Sequence, residues 1–261
     1  MDTETPEFPI RVGGYRIDLL FQGYPGKSAH NGGLGWSTVA LLRGHDRVIL
    51  IDTGAIGIRT PLLHRLKQLG LAPTDITDVL LTHSHWDHVM NYPLFTAANL
   101  YIGKVDLDWA NSGAADVYAV AEPYARELAR EPRLSYLEVG SEVFPGIRVE
   151  AGPGHTPGHL IFILSGEDRD VVFVQDAAKN KAEMVSRDTD LTIDSARSRA
   201  TIERIWALWS ARAGNILVPG HDLPMILCDG EIVFLGRRQA GVIGLLGDSP
   251  EEQTLFPLTK P

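Results

Sequence analysis

Eight short apolar segments recur along the chain, and four of them run out into histidine or aspartate. They are STVALL (37–42), RVILID (47–52), DVLLTH (78–83), NLYIG (99–103), IRVEAG (147–152), LIFILS (160–165), VVFVQD (171–176) and NILVPG (215–220). Each is rich in β-branched residues and bounded by Gly, Asp or Pro, which predicts strands. Helical signals lie between some of them. Thr60-Pro61 reads as an N-cap followed by Pro at the first helical position, with Leu62, Leu63, Leu66 and Leu69 on one face and Gly70 as the stop. Residues 196–211 place Ile202, Ile205, Trp206 and Trp209 at helical spacing, as core contacts. Residues 104–135, with Trp109, Tyr118 and Tyr124, read as one or two helices between strands. Layers of strands with helices outside them predict a single α/β domain of the αβ-sandwich kind.

A length of 261 residues is near the upper limit for one hydrophobic core. We place that domain at residues 1–247 and read 248–261, rich in Pro and acid, as an extended C-terminal arm. The formal net charge of −9 argues against a nucleic-acid partner, which calls for a basic surface. The lone cysteine, Cys228, excludes an intramolecular disulfide and reads as a small buried residue. The acidic N-terminus lacks the apolar run of a secretory signal, and VILI and LIFIL are far too short to span a membrane. A cytoplasmic protein without a membrane partner is the expectation.

The densest chemistry lies in THSHWDHVMN (82–91). His83, His85, Asp87 and His88 fall within six positions, and imidazole with carboxylate suits a divalent metal such as zinc. Residues two apart on a helix point to different faces, so a helical HExxH site is excluded. Just after a strand, alternate residues can converge on one point. His155 in GPGHTPGH, Asp176 at the end of VVFVQD and His221 after NILVPG could join them at one sheet edge. His30, His45, His64 and His159 read as ordinary surface or core histidines.

HSHWDH fits the pattern HxHxDH, and with His155, Asp176 and His221 in order it resembles the metallo-β-lactamase fold superfamily across roughly residues 36–222. Asp52 in the IDTG run resembles the Asp-Thr-Gly element that precedes the motif in that family. The resemblance implies an αββα sandwich. It implies that His83, His85 and His155 hold one metal ion, that Asp87, His88 and His221 hold a second, and that Asp176 bridges them. Asp52 would orient a ligand. Zn is expected, with Mn, Fe or Co as alternatives that accept the same ligands.

Those implied sites suit a dinuclear metal-dependent hydrolase that acts through a metal-bridging hydroxide, with Asp87 also passing a proton to the leaving group. The chain is most similar to the N-acyl-homoserine lactonase branch, so a lactone or small ester is the expected small-molecule substrate. Other hydrolytic branches (thioester, cyclic amide or β-lactam, phosphodiester) and a non-catalytic metal-binding member are the alternatives. The 39 residues after Asp222 are too few for the extra domain of hydroxyacylglutathione hydrolases. One residue departs from the lactonase pattern: Lys179 stands where those enzymes have a tyrosine three residues after the bridging Asp. A cation there suggests a catalytic-site contact to a carboxylate-bearing substrate. A homodimer is left open.

Overall fold

The computed structural model describes residues 8–115 and 119–259. Two seven-stranded sheets form one after the other along the chain. The first contains Ile10–Val12 (β1), Tyr15–Phe21 (β2), Val39–Gly44 (β3), Arg47–Ile51 (β4), Asp78–Leu80 (β5), Asn99–Gly103 (β6) and Leu134–Leu137 (β7). β1 to β4 pair antiparallel, and β4 to β7 run parallel. The second sheet contains Glu142–Phe144 (β8), Ile147–Ala151 (β9), Leu160–Leu164 (β10), Val171–Gln175 (β11), Ile216–Pro219 (β12), Met225–Cys228 (β13) and Glu231–Phe234 (β14). Its pairs are antiparallel except β11 with β12, which are parallel.

Period-2 alternation in the strands decides the layering. Ala40 and Leu42 of β3, with Ile49 and Ile51 of β4, face Phe162, Phe173 and Val218 of the second sheet. Leu41 and Leu50 face the other way, onto Leu62 and Leu66 of Arg59–Gln68 (α1). In the second sheet Ile161, Ile163 and Val172 turn away from the first and pack on Ile202, Ile205 and Trp209 of Ser195–Ser210 (α5). Both faces of β10 and β11 are thus covered, so LIFIL and VVFVQ are buried throughout. The architecture is an αββα sandwich in one α/β domain, as expected.

The eight predicted strands all form. α1 begins at Arg59, one residue before the expected Thr60 cap: a 3-10 turn at Ile56–Ile58 leads straight into it, and no side chain caps its start. The 104–135 segment gives two helices, Lys104–Ala110 (α3) and Glu122–Arg130 (α4), and then β7. Tyr118 lies outside the described residues. β2 was missed because it carries Arg16 and Asp18 among its apolar residues. Asp18 is nonetheless buried, held by Arg16 at 3.1 Å and by Arg43 of the neighbouring strand at 2.9 Å. Part of the segment read as an arm folds back: Thr254–Pro257 pairs antiparallel with Gly241–Gly244. Cys228 is exposed, not buried, because it ends β13 at the turn to β14. Among the described residues no helix is long and apolar enough to cross a membrane.

Candidate metal centre

β9, β11 and β12 run in one direction, so their C-terminal ends share an edge of the second sheet. His155, Asp176 and His221 follow those three ends. From the first sheet, the chain leaves β5 in an extended run through His83 and His85. The short helix Trp86–Val89 (α2) then presents Asp87 and His88 from its first turn. Backbone hydrogen bonds stitch the two edges together, Leu160 N donating to Thr82 O at 2.9 Å and Thr38 N to Gly220 O at 2.7 Å.

The seven residues converge. Ligand atoms lie within 4.8 Å of one another in each of three sets: His83, His85 and His155; His83, His88 and Asp176; Asp87, His88 and His221. Asp176 reaches both sides. Its Oδ2 is 3.1 Å from His155 Nε2, and its Oδ1 is 3.3 Å from both His88 Nε2 and His221 Nε2. Asp87 Oδ2 lies 3.3 Å from His221 Nε2. Gly220 makes room for this: a Cβ there would meet Asp176 Oδ1 at 2.0 Å.

The donor set fits metal ions. Nε2 of His83, His85, His88 and His155 and Oδ1 of Asp176 are all buried without a hydrogen-bond partner. Each orphaned group costs about 1–3 kcal/mol, a cost that a bound cation removes. Meanwhile the opposite ring nitrogens of His83, His88 and His155 are engaged. Thr82 Oγ1 lies 3.1 Å from His83 Nδ1, Asp52 Oδ2 is 2.7 Å from His88 Nδ1, and His155 Nδ1 donates to Leu191 O at 3.0 Å. Such partners fix ring orientation and leave Nε2 to the metal.

Charge follows the same division. Burial, with crowding by the other imidazoles, pushes His83 and His85 well below the ordinary histidine value, so both are neutral at pH 7. Burial would lower His88 as well, but Asp176, Asp87 and Asp52 outweigh it and hold that ring well above the ordinary value. His221 is raised against burial by Asp176 and Asp87. For Asp176, burial opposes ionisation, yet His221, His88 and His155 keep it well below the usual carboxylate range. The carboxylates that favour a proton on these rings also favour a cation beside them.

The remaining expected residues fall as follows. Asp52 is fully buried and accepts from Thr82 N and Thr82 Oγ1, both at 2.8 Å, besides holding His88. Trp109 of α3 stands with its ring 6.0 Å from that of His85, whereas Tyr124 packs on Tyr92. Lys179 is buried, its Nζ 2.8 Å from Glu183 Oε1, while Glu183 Oε2 accepts Lys179 N at 2.7 Å. His30, His45 and His64 are exposed, as read. His159 is buried, stacked on His83 at 4.7 Å, and outside all three sets.

Two supporting carboxylates escaped the sequence reading. Asp106 holds Ser84 and Thr156, and Glu183 holds Lys179 and, through Oε1, Asp190 N at 3.2 Å. Neither stands in a run of ligand-type residues that could have flagged it. A cavity of about 550 Å³, lined by Phe21, Trp36, Arg65 and Gln239 among others, includes none of the seven residues. The convergent, unpartnered donors mark the site, not cavity size.

Comparison with known proteins agrees with the geometry. The family model for the metallo-beta-lactamase superfamily matches residues 32–221. The chain is 28% identical over 216 residues to metallo-beta-lactamase domain-containing protein 1 of Xenopus laevis, covering 80% of this chain and 81% of that protein. It is 25% identical over 229 residues to an N-acyl homoserine lactonase of Bacillus cereus, with 84% and 79% covered. The structure of AidC, a dizinc quorum-quenching lactonase, superposes with a TM-score of 0.65 at 18% identity over 88% of this chain and 97% of that one, a likeness of fold. From the order of its strands to the residues at their ends, this chain belongs to the metallo-beta-lactamase superfamily of hydrolases.

Proposed function

We propose that the protein is a dinuclear metal-dependent hydrolase of a lactone or small ester, with zinc as the metal. One observation carries this reading: Asp176 stands between two three-residue groups, within 3.3 Å of His155, His88 and His221, and Nε2 of His83, His85, His155 and His88 is buried without a partner. His83, His85 and His155 would hold one ion, and Asp87, His88 and His221 the other. A bound pair of divalent ions supplies Lewis acidity to a carbonyl oxygen and lets water act as a nucleophile at neutral pH.

The chain's own residues supply the rest. Asp87 is among the more open members of the cluster, with its side chain 13% exposed. Its Oδ2 can take a proton from the attacking water and return it to the leaving oxygen, as general acid–base catalysis requires. Neutral partners orient two of these rings, Thr82 Oγ1 for His83 and Leu191 O for His155. Lys179 O accepts His221 N at 2.8 Å, so that residue positions a ligand by its backbone. Its ammonium is balanced by Glu183, which suits an uncharged substrate such as a lactone. The relatives that are lactonases by name support the same class.

The test is metal analysis together with a panel of lactones, aryl esters, thioesters and β-lactams. We expect close to two ions per chain after growth in metal-replete medium, with turnover of a lactone or aryl ester that is lost on chelation and restored by Zn or Mn. A metal-free protein that gains no activity on addition of either ion would overturn the reading.

A further inference from the structure

The cavity of about 550 Å³ that holds none of the metal ligands lies between β2, α1 and residues 239–241. Small-molecule pockets run to roughly 300–1,000 Å³, so it is large enough for a ligand. Its third wall exists because the C-terminal segment comes back. Leu258 N donates to Ala240 O at 2.9 Å, and Tyr24 Oη donates to Leu258 O at 3.0 Å. Phe21, Trp36, Ile58 and Leu69 give the cavity an apolar side, and Arg65 with Gln22, Gln68 and Gln239 gives it a polar one.

Arg65 is the unusual member. Its guanidinium lies 3.8 Å over the Phe21 ring and donates to Leu20 O, at the point where β2 slips in register against β3. That bond leaves most of its N–H donors unused. Among the described residues no carboxylate pairs with it, and burial, which lowers its pKa, goes uncompensated. Asp18, the one carboxylate in the lining among the described residues, is already held by Arg16 and Arg43. Three guanidinium groups against one carboxylate leave positive charge in excess here, although the whole chain carries −9. The amides of Gln22, Gln68 and Gln239 make no side-chain hydrogen bond among the described residues, and Gln68 follows Arg65 by three positions on the same face of α1.

We propose that this cavity is a second ligand site, apart from the metal centre, for a small carboxylate with an apolar body: Arg65 takes the carboxylate, and Phe21, Trp36 and Ile58 cover the body. The planar guanidinium meets a carboxylate through two parallel hydrogen bonds, and the neighbouring amides offer further donors. One unpaired guanidinium balances one negative charge, which favours a carboxylate over a phosphate dianion. The site stands independently of the hydrolytic reading and is tested without turnover.

The experiment titrates metal-loaded, nitrogen-15-labelled protein with naphthalene-2-carboxylate and with naphthalene-2-carboxamide, a neutral probe of the same shape. NMR follows the side-chain amides of Gln22, Gln68 and Gln239 and the indole N–H of Trp36. The acid should shift these signals saturably and bind roughly tenfold to a hundredfold more tightly than the amide. Arg65→Gln should abolish that difference while leaving binding of the amide as in wild type, and Arg65→Lys should keep part of it. 2-Naphthyl phosphate should bind less tightly than the acid. Equal binding of acid and amide by wild type, which needs no variant to observe, would overturn the proposal. So would tighter binding of the phosphate, or an Arg65→Gln variant that weakens both naphthalene probes alike, as a merely structural arginine would. Acid that goes to the metal centre instead would move the Trp109 indole signal and leave the glutamines in place, and that outcome also removes the site.

Discussion

Ser84 gives both of its donors to one oxygen of Asp106: its backbone N at 2.7 Å and its Oγ at 2.5 Å from Oδ1. The other oxygen of Asp106 takes the hydroxyl of Thr156. Ser84 stands between His83 and His85, and Thr156 follows His155. A single buried carboxylate on α3 thus sets the distance between ligands that come from different sheets. Burial raises its pKa, against the hydrogen bonds from Ser84 and Thr156.

Asp106→Ala should therefore act on metal binding without touching a ligand. It leaves buried donors unpaired and should cost about 3 kcal/mol in denaturant unfolding. Affinity at the His83–His85–His155 group should drop roughly 10–100-fold, as for other residues that orient ligands. Chelator competition measures this, and wild-type affinity in the variant would remove Asp106 from that role.

Asp87→Asn keeps the shape of the side chain and loses its charge and proton transfer. We expect kcat to fall about 10²–10⁴-fold. Elemental analysis must accompany the kinetics, because Asp87 also stands in the second ligand group. Turnover near wild type at full metal occupancy would show that no proton passes through its carboxylate.

Lys179 and Glu183 form a buried pair, so removing one partner strands the other. Lys179→Met should destabilise the fold by about 3 kcal/mol, and Lys179→Met with Glu183→Gln should recover most of that loss. The single variant should change KM equally for acidic and neutral esters of the same size. A rise confined to acidic substrates would mean that Lys179 leaves Glu183 to meet a substrate carboxylate, the role its position in the sequence suggests.

Asp18 gives a pH signature away from the centre. Burial disfavours its charge, but hydrogen bonds from Arg16 and Arg43 prevail and lower its pKa. With the folded value below the unfolded one of about 3.9, the pair stabilises the fold above that pH and loses its effect as pH falls through the folded value. Asp18→Asn should cost about 1 kcal/mol at pH 7, discounted for the partly exposed arginines, and less at pH 3. Denaturant midpoints at both pH values decide it, and an equal loss at both would rule out the charge as the cause.

The strands with continuous apolar runs could be read from the sequence because both of their faces are covered. β2 and β13–β14 could not, since they lie toward the sheet margins and mix polar with apolar residues. The ligands were legible for a related reason: histidine or aspartate at the end of a buried strand stands out from its surroundings. What holds them was not. Asp106 and Glu183 sit in helices among other charged residues, and only the fold shows that they are buried. Lys179 shows the opposite limit, because its position predicts reach, while its partner four residues later decides where the charge goes.

The first sheet is finished in the chain before the second begins. Each can assemble from contiguous sequence, and each then carries only part of the cluster: His83, His85, Asp87 and His88 on one, His155, Asp176 and His221 on the other. An ion held by both would be fully bound only once the two sheets meet, and would be released when they part. It would slow unfolding without speeding folding. Metal supply would then set how long a finished molecule lasts, while the rate at which new molecules form stays the same.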